Sequence, residues 1–557
     1  MIDRRTFLAG LAATCTAPVL TGCSTGPLQA VDAGDDELSH VPAVRVTPFS
    51  TADPTRLRDF GDAVLAAQLF EPLVRFDSVK KSVVPAAASK FSISDDAQTC
   101  TFTLRDNAMF SNGKPVTSHS FAKSWNRLVA IDGRSSEDGK ERGAGFGSLL
   151  AAVDGYDALR SGNADSLAGL SCPDDKTLLV HLSVPCSDFA VLCSHIALAP
   201  VFIDSSDKEY DENDLVGNGP YRLKGSFKPG DPCHLVPSES YNGTQPAGHE
   251  LVLVADKDAN GAYKHFEAGD LSVTQAPVDQ LEAIGKSFGV NRETPVAQPG
   301  ERLVASPTIS QVLLACNAES SFTASLEARR ALACSIDRDA LCEKVLRAAF
   351  SPSTRLVPTA IDSDDAFDIP ACAFDPDQAA SLLETAWPLE ENGKRGVKLR
   401  LICSNKGIDG KVAEALAADI RALGIDVEVQ PYAWSEYQEH VRAREFDLAI
   451  VSAAPVCPSY RAALRPLLWS GAVDSTNVAG FISAEIDAAL DGLSVAANDS
   501  MHARALDVVA LAAESMPYIP LAVRNNDVLV DQEVEYLQVD AYGVPQYATL
   551  EGEFEQA

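Results

Sequence analysis

The chain has 557 residues, which is too long for one hydrophobic core, so two or three lobes are expected. Its 46% apolar and 22% charged residues are ordinary for a globular protein. The net charge of −32 argues against nucleic acid as a partner, because phosphates need Lys and Arg to displace their counterions. The nine His show neither HxxxH nor HExxH spacing, so no zinc site and no cofactor are predicted.

The first 23 residues, "MIDRRTFLAGLAATCTAPVLTGC", have the features of an export signal. A twin arginine precedes a mild apolar stretch that is too short to anchor the chain across a bilayer. The stretch ends in "LTGC", a pattern typical of a lipobox, in which cleavage leaves the cysteine as the new N-terminus and lipid is attached to its thiol. We therefore predict a signal peptide at 1–22 and a lipidated Cys23. The twin-arginine and the general secretion route both remain open.

A Gly-, Ser- and Asp-rich segment follows the lipobox, and residues 23–42 are expected to be a flexible tether. Without Cys15 and Cys23, eleven of the thirteen cysteines remain, most of them in apolar patterns where free Cys packs as a small hydrophobe. No CxxC occurs, which argues against thioredoxin-like redox chemistry. One or two disulfides are possible outside the cytoplasm, but the sequence does not decide their pairing.

Strand and helix signals alternate through the first half of the folded region. "TCTFTLRD" alternates apolar and polar residues, which predicts a half-buried strand. After an Asn-Gly turn, Thr117 can cap a helix that places Phe121, Trp125 and Leu128 on one face.

The second half continues as an α/β unit. Asp375 followed by proline is a strong helix start, and "KVAEALAADIRALGI" has one apolar stripe that Gly424 ends. The strand "IDVEVQPYAW", the helix "WSEYQEHVRAR" and the strand "FDLAIVS" come next, which predicts a parallel sheet. "FDLAIVSAAPV" is thus the carboxyl end of a strand, and ligands of open α/β sheets bind just outside that end.

Six sequence blocks, in this order, carry a family resemblance. They are "DPTRLRDFGDAVLAAQLFEPLVRFD", the block from "ASKFSISDD" through "FSNGKPVT" to "SWNRL", "VGNGPYRLKGSFKPGD", "ARRALACSIDRDAL", "FISAEIDAALD" and "PYIPL". Over about residues 43–540 the chain resembles the extracytoplasmic solute-binding proteins of family 5, which serve peptide and nickel ABC importers.

The resemblance implies an α/β fold of the two-lobed periplasmic-binding-protein type II, with an extra subdomain inserted in the first lobe. It also implies a hinge between the lobes and a ligand in the cleft between them, around which the lobes close. The implied lobe I has three parts, at 43–77, 177–306 and 521–557, with the inserted subdomain at 78–176 and lobe II at 307–520.

The resemblance also implies the ligand-binding residues. Motif matching places them at Arg58, Asp59, Phe60, Phe146, Trp434, Ser452, Ala453, Val456 and Arg524.

One departure from the family pattern concerns specificity. In peptide-binding relatives the loop after "FDLAIVS" carries an aspartate that pairs with the α-ammonium of the peptide, and a tryptophan stands three residues earlier. Here the two positions are Val456 and Ala453. Three interpretations remain open. A carboxylate elsewhere, such as Asp59, serves the amine, or the ligand is blocked or non-peptidic, or a peptide binds in another register.

The expected function is that of a lipid-anchored monomeric receptor on the outer face of the cell membrane. It would capture a peptide-like ligand and deliver it to the permease subunits of an ABC importer. A non-peptide or N-terminally blocked solute and a surface sensor without import are the alternatives. The chain has no G-x-S-x-G, P-loop or metal motif, and its adjacent carboxylates lie in turn-like runs, so no catalytic residue and no enzyme activity are predicted.

Overall fold

The structure is a computed structural model. It describes residues 41–133, 145–203, 215–243, 248–473, 475–497, 499–552 and 554. The predicted signal peptide and Cys23 lie outside the described residues.

The chain divides into two compact units. Within the described residues, unit I comprises the chain up to Ser306 and from Asn526 onward, and unit II comprises Pro307–Asn525. The chain therefore passes between the units twice, after Ser306 and after Asn525.

Most of unit I precedes the first crossing. Its strands up to that point are β1 (Ala43–Val46), β2 (Val74–Asp77), β3 (Ser82–Pro85), β4 (Ala88–Ile93), β5 (Thr99–Leu104), β6 (Leu170–Ser171), β7 (Thr177–His181), β8 (Tyr221–Leu223), β9 (Cys233–Pro237), β10 (Leu251–Ala255), β11 (Val273–Gln275), β12 (Val290–Asn291), β13 (Val296–Ala297) and β14 (Leu303–Val304). Its helices are α1 (Phe60–Leu69), α2 (Ser118–Asp132), α3 (Tyr156–Arg160), α4 (Phe189–Leu192), α5 (Ala259–Glu267) and α6 (Leu281–Phe288).

Unit II then adds six strands and eight helices among its described residues. The strands are β15 (Pro307–Cys316), β16 (Phe350–Pro352), β17 (Lys398–Ser404), β18 (Asp426–Tyr432), β19 (Leu448–Ala453) and β20 (Tyr518–Asn525). The helices are α7 (Leu326–Ser335), α8 (Arg338–Leu341), α9 (Pro376–Leu383), α10 (Asp409–Ala422), α11 (Trp434–Ala443), α12 (Tyr460–Leu468), α13 (Ala484–Ser494) and α14 (Met501–Ser515). After the second crossing, unit I is completed by β21 (Val528–Val530), β22 (Val534–Val539) and β23 (Pro545–Gly552).

Unit I is built on an eight-stranded sheet in the order β12-β14-β21-β11-β1-β10-β9-β8. Strand β1 runs parallel to both β10 and β11, so these three strands end at the same edge. A separate antiparallel sheet, β4-β5-β7-β6, carries α2. Its strand β5 buries Cys100, Phe102 and Leu104, as the alternation in "TCTFTLRD" predicts.

Helix α2 begins and packs as its sequence predicts. Thr117 and Ser120 form a reciprocal capping box at its start. The predicted stripe of Phe121, Trp125 and Leu128 is buried. Burying such side chains contributes roughly 1.5–3 kcal/mol each, which explains why this face packs against the sheet.

Unit II is built on a six-stranded sheet in the order β16-β20-β15-β19-β17-β18. Strands β17, β18 and β19 are parallel, with α10 and α11 as the two crossover helices. The predicted helix–strand–helix–strand succession is therefore confirmed. Strand β15 pairs antiparallel with both β19 and β20, so the sheet is mixed rather than purely parallel. The sequence around β19 could not show this, because β15 precedes it by more than a hundred residues.

Helix α10 buries Val412, Leu416 and Ile420 against the sheet. Gly424 stands just beyond its last residues at φ +84°, a left-handed conformation in which glycine carries no Cβ penalty. The predicted stripe and its glycine stop are both confirmed.

The eleven cysteines from Cys100 to Cys457 are free thiols, and all but Cys172 are buried. Burial raises the thiol pKa of Cys316 and Cys342 to about 12, so both stay protonated near neutral pH. These cysteines contribute to the core as small apolar side chains.

Candidate ligand-binding site

One edge of the unit II sheet collects five of the predicted ligand-binding residues. Ala453 ends β19 and pairs with Gln311 of β15, which in turn pairs with Val523 of β20. Because β19 and β20 both run antiparallel to β15, their carboxyl ends meet at this edge. We call it the carboxyl edge of unit II. Trp434, Ser452, Ala453, Val456 and Arg524 all lie in or directly after strands that end there.

Trp434 presents an aromatic surface at this edge. It begins α11, two residues after β18 ends at Tyr432, and 38% of its surface is exposed. Its ring stacks on Tyr437 with centroids 5.5 Å apart and planes 20° apart. Tyr437 is buried, and its hydroxyl donates to the carbonyl oxygen of Ile450 at 2.7 Å. The indole is thus supported on one face and left open on the other, an arrangement suited to receiving a ligand.

The end of β19 and the loop after it carry no charged side chain. Ser452 is exposed, Ala453 is only 9% exposed and Val456 is half-buried. The Ser459 hydroxyl accepts the Ala462 N–H at 3.0 Å and so caps α12.

The helix that follows is tied to another loop. The hydroxyl of Tyr460, the first residue of α12, donates to Asp362 Oδ2. The loop 353–369 that contains Asp362 also reaches β15, because Gln311 Nε2 donates to the Leu356 carbonyl oxygen at 3.0 Å.

The loop 353–369 was not predicted from the sequence as part of the site. His502 of α14 lies against it, with Nε2 3.1 Å from Asp364 Oδ2 and 3.6 Å from Asp362 Oδ2. Arg355 pairs at 2.8 Å with both Asp365 and Asp368. These carboxylates are therefore engaged by partners of the protein itself. No local pattern could have indicated this, since the partners come from three separate stretches of chain.

Arg524 lies in β20 and is half-buried. It pairs with Phe350 of β16, and its carbonyl oxygen accepts the hydroxyl hydrogen of Thr308 at 2.9 Å. The strand is therefore fixed on both sides at the position of Arg524.

In unit I, the predicted residues Arg58, Asp59 and Phe60 form the start of α1. Arg58 and Asp59 are exposed and Phe60 is half-buried. The Asp62 carboxylate fixes this segment by accepting the N–H groups of Arg58 at 2.9 Å and Asp59 at 3.2 Å.

Gly61 allows α1 to start directly against the loop that follows β1. A Cβ at Gly61 would lie 2.2 Å from the Thr47 carbonyl oxygen, so only glycine fits. The segment 58–60 is thereby placed beside the carboxyl end of β1.

Phe146 is part of an aromatic cluster in unit I. Its ring centroid lies 4.7 Å from that of His195, which in turn lies 5.7 Å from Tyr542. His195 precedes the short 3-10 helix Ile196–Leu198, which packs on the 3-10 helix Pro54–Arg56 just before Arg58. The sequence predicted neither His195 nor Tyr542, because Tyr542 lies in the hairpin between β22 and β23 at the far end of the chain.

The His195 ring is neutral. Burial lowers its pKa to about 4, and its Nδ1 accepts the Ala197 N–H at 3.1 Å. The ring therefore keeps one proton, on Nε2, and contributes an uncharged surface to the cluster.

Two further observations concern the described part of the chain alone. No helix in it is both long and apolar enough to cross a membrane. No group of three or more His, Cys, Asp or Glu in it could hold a metal ion.

Ligands of open α/β sheets bind outside the carboxyl ends of their strands. Two α/β units joined by two chain crossings, with a supported but open indole at such an edge, define a binding protein of the two-lobed solute-binding class.

Comparison with known proteins identifies the family. The family described as "Bacterial extracellular solute-binding proteins, family 5 Middle" matches residues 82–473. The chain belongs to this family, as the sequence blocks predicted. The predicted fold class, an α/β two-lobed periplasmic-binding-protein type II fold, is confirmed as well.

Several relatives cover most of the chain. The chain is 27% identical over 451 residues to the periplasmic murein peptide-binding protein MppA of Escherichia coli (strain K12). This match covers 78% of this chain and 79% of MppA. The chain is 26% identical over 417 residues to the probable deoxycholate-binding periplasmic protein YgiS of the same strain, covering 72% of each. The solved structure of MppA in its unliganded open form matches with a TM-score of 0.77 at 24% identity, covering 92% of this chain and 97% of that one.

The domain boundaries and the nine ligand-binding positions stay predictions. The structure brings Trp434, Ser452, Ala453, Val456 and Arg524 to one edge of unit II, and it places Arg58, Asp59 and Phe60 near the Phe146 cluster in unit I. That both groups line one cleft, and that the lobes close on a ligand, also stay predictions.

Proposed function

We propose that this protein is a lipid-anchored extracytoplasmic receptor that binds a peptide-like solute and delivers it to an ABC importer. The observation that carries the proposal is the carboxyl edge of unit II, where the exposed Trp434 and the small, uncharged segment 452–456 lie at the same edge of one sheet. Membership of family 5 supports it, as does the similarity to a murein peptide-binding protein. The proposal requires no catalysis and no cofactor.

A non-peptide or N-terminally blocked solute is the second candidate. Two observations favour it. Ala453 and Val456 offer no charge to a ligand ammonium, and one relative is named as a probable deoxycholate-binding protein.

Native mass spectrometry of protein purified without denaturation tests both candidates. If the receptor retains its ligand, the spectrum shows a mass above that of the apo protein, and fragmentation of the released compound reveals amino-acid residues. A compound without amino-acid residues would support the second candidate. Thermal-shift screening with short peptides supplies the complementary result, because a ligand that binds only the folded state raises the melting temperature.

Import is tested in cells. Deleting the gene should abolish uptake of a peptide that the purified protein binds, and restoring the gene should restore it. Uptake that continues unchanged would instead favour a surface sensor.

The lipid anchor is tested separately at Cys23. Cys23→Ala should abolish incorporation of a labelled fatty acid and release the protein from the membrane fraction, whereas Cys15→Ala should do neither. Labelling of the Cys23 variant would contradict the anchor.

A further inference from the structure

A carboxylate at the carboxyl edge of unit II is left without a partner. Asp409 is the first residue of α10, five positions after β17 ends at Ser404. The residue is half-buried, and none of the described residues forms a hydrogen bond or ion pair with its side chain. Burial raises its carboxyl pKa to about 6. A charged group that loses water and gains no partner destabilises the folded state, so its presence needs an explanation.

The neighbours of Asp409 belong to the site. Burial raises the pKa of Tyr437, and the charge of Asp409 raises it further. Burial and the charges of Asp409 and Glu414 raise the pKa of Cys403, in β17, to about 11. The carboxylate is thus within electrostatic reach of both residues, and Tyr437 is the ring on which Trp434 stacks.

The topology explains why a ligand group would reach this point. The connection through α10 leads from β17 outward to the edge strand β18, and the connection that follows β19 leads the other way, past β15 to β20, which is parallel to β19. Right-handed crossovers in opposite directions place their helices on opposite faces of a sheet. A crevice therefore opens between the carboxyl ends of β17 and β19, and this is where ligands bind in open α/β sheets. Asp409 lies on the β17 side of that crevice and Val456 on the β19 side.

Two other carboxylates near this edge, both in the loop 353–369, are already engaged. Asp362 accepts a hydrogen bond from Tyr460, and Asp364 is paired with His502.

We propose that Asp409 is the counter-ion for a cationic group of the ligand, so that the solutes bound by this protein include ones with a primary ammonium. This inference rests on the proposed receptor function and names a substrate class for the same site. The loop after β19 carries the uncharged Val456. The carboxylate comes from the loop after β17, the strand next to β19. The stacked pair of Trp434 and Tyr437 supplies aromatic surface beside it, which also favours a cation.

Four tripeptides test the inference by isothermal titration calorimetry. Ala-Ala-Ala and Ala-Lys-Ala are each used with a free and with an acetylated N-terminus. The wild-type protein should bind at least one free-ammonium form about tenfold or more tightly than its counterpart without that ammonium. Asp409→Asn should remove this preference and leave the affinity for the counterpart without that ammonium within about twofold.

Asp377→Asn is the matched control. Asp377 also stands in the first turn of a unit II helix, α9, but it is exposed and has no partner among the described residues. Both substitutions remove one charge from a helix start. Only the Asp409 variant should change the ligand preference.

A second measurement separates binding from a structural role. Because the unpartnered carboxylate opposes folding, the unliganded Asp409→Asn protein should melt at the same temperature as the wild type or higher. A lower melting temperature together with equal weakening of all four peptides would show a structural role and overturn the inference. Wild-type binding that is indifferent to every ammonium would overturn the inference and leave the receptor function standing. If none of the four peptides binds to the wild type, the inference fails together with the peptide-like ligand, and the non-peptide solute becomes the favoured candidate.

Discussion

Asn526 is hydrogen-bonded three times to Ser306 where the chain passes between its two units. Asn526 Nδ2 donates to the Ser306 carbonyl oxygen at 3.0 Å and to its Oγ at 3.1 Å, and the Asn526 backbone N–H reaches the same carbonyl at 2.9 Å. Both residues are buried. On the unit II side, the Thr308 hydroxyl donates to the Arg524 carbonyl oxygen. The two connecting segments are thus tied to each other on both sides of the crossing.

Asn526→Ala should therefore lower the free energy of unfolding by about 1–3 kcal/mol, because the Ser306 carbonyl and hydroxyl lose a buried donor. Urea denaturation measures this loss. Asn163→Ala is the control, since Asn163 is exposed and its side chain bonds to Ser161 in the same turn, and it should stay within about 0.5 kcal/mol of the wild type. Equal effects of the two substitutions would show that the Asn526 bonds contribute nothing specific.

Glu71 is enclosed in unit I with two partners. Arg105 Nη1 lies 2.7 Å from Glu71 Oε2, and the Tyr241 hydroxyl donates to Oε1 at 2.6 Å. Burial raises the pKa of Glu71, and the charge of Arg105 and the hydrogen bonds from both partners oppose that rise. Removing Arg105 alone would therefore leave a buried carboxylate without its compensating charge.

Arg105→Met should lower the free energy of unfolding by about 3–5 kcal/mol, because it leaves the Glu71 charge buried and uncompensated. The double substitution Glu71→Gln with Arg105→Met should recover most of this loss. Without Arg105, the Glu71 pKa rises further, so the folded state binds a proton that the unfolded state has released. Stability is then lost as the pH rises, and the single variant should be relatively more stable at pH 5 than at pH 7.5. Thermal unfolding at both pH values checks the sign, and a pH-independent deficit would contradict it.

The sequence pattern predicted those strands and helices that depend only on residues close to one another in the chain. The alternation of β5, the capped stripe of α2 and the succession from α10 to β19 depend on residues only a few positions apart, and all appear in the structure. Trp434 could be placed at a strand end because α/β units put their loops there. The sequence could not show that β15 runs antiparallel between β19 and β20, because a pairing across the length of unit II leaves no periodicity.

The polar contacts at the site could not be predicted from the sequence for a similar reason. His195 meets Tyr542, and Asp362 meets both Tyr460 and His502, but each contact joins distant stretches of chain. Asp409 was missed because an aspartate in the first turn of a helix is an ordinary choice for the helix dipole. Only the structure shows that it is half-buried and that no described residue pairs with it.

Trp434→Ala should weaken ligand binding about thirtyfold or more while shifting the melting temperature of the unliganded protein only slightly. The indole is exposed on one face, so its removal leaves little cavity, whereas aromatic anchors contribute about 2 kcal/mol or more at binding sites. Trp125→Ala is the contrasting control. Trp125 is fully buried and its Nε1 donates to the Leu198 carbonyl oxygen at 2.9 Å, so its loss should cost about 3–5 kcal/mol of stability. A comparable loss of unliganded stability in the Trp434 variant would show that this side chain is part of the core.

The carboxylate of Asp540 organises the hairpin that carries Tyr542. It accepts the N–H groups of Tyr542 and Val544, each at 2.9 Å, and burial raises its pKa to about 7. Between the ordinary pKa of an aspartate and pH 7, the folded state therefore holds a proton that the unfolded state has released. Stability contributed by this group is present at low pH and is lost as the pH rises toward and through 7.

Asp540→Asn keeps an oxygen that can accept both N–H groups but cannot ionise. The variant should therefore gain stability relative to the wild type as the pH is raised from 5 to 8, by roughly 1 kcal/mol or more in total. Thermal unfolding of both proteins at pH 5, 6, 7 and 8 measures the difference, and the titration of His195 cancels because both proteins contain it. Asp96→Asn is the control, because hydrogen bonds from Ser94 and the Gln98 N–H lower the pKa of that exposed carboxyl, so no such gain is expected. A constant difference between wild type and Asp540→Asn over this range would mean that the Asp540 carboxylate ionises as freely in the folded protein as in the unfolded chain.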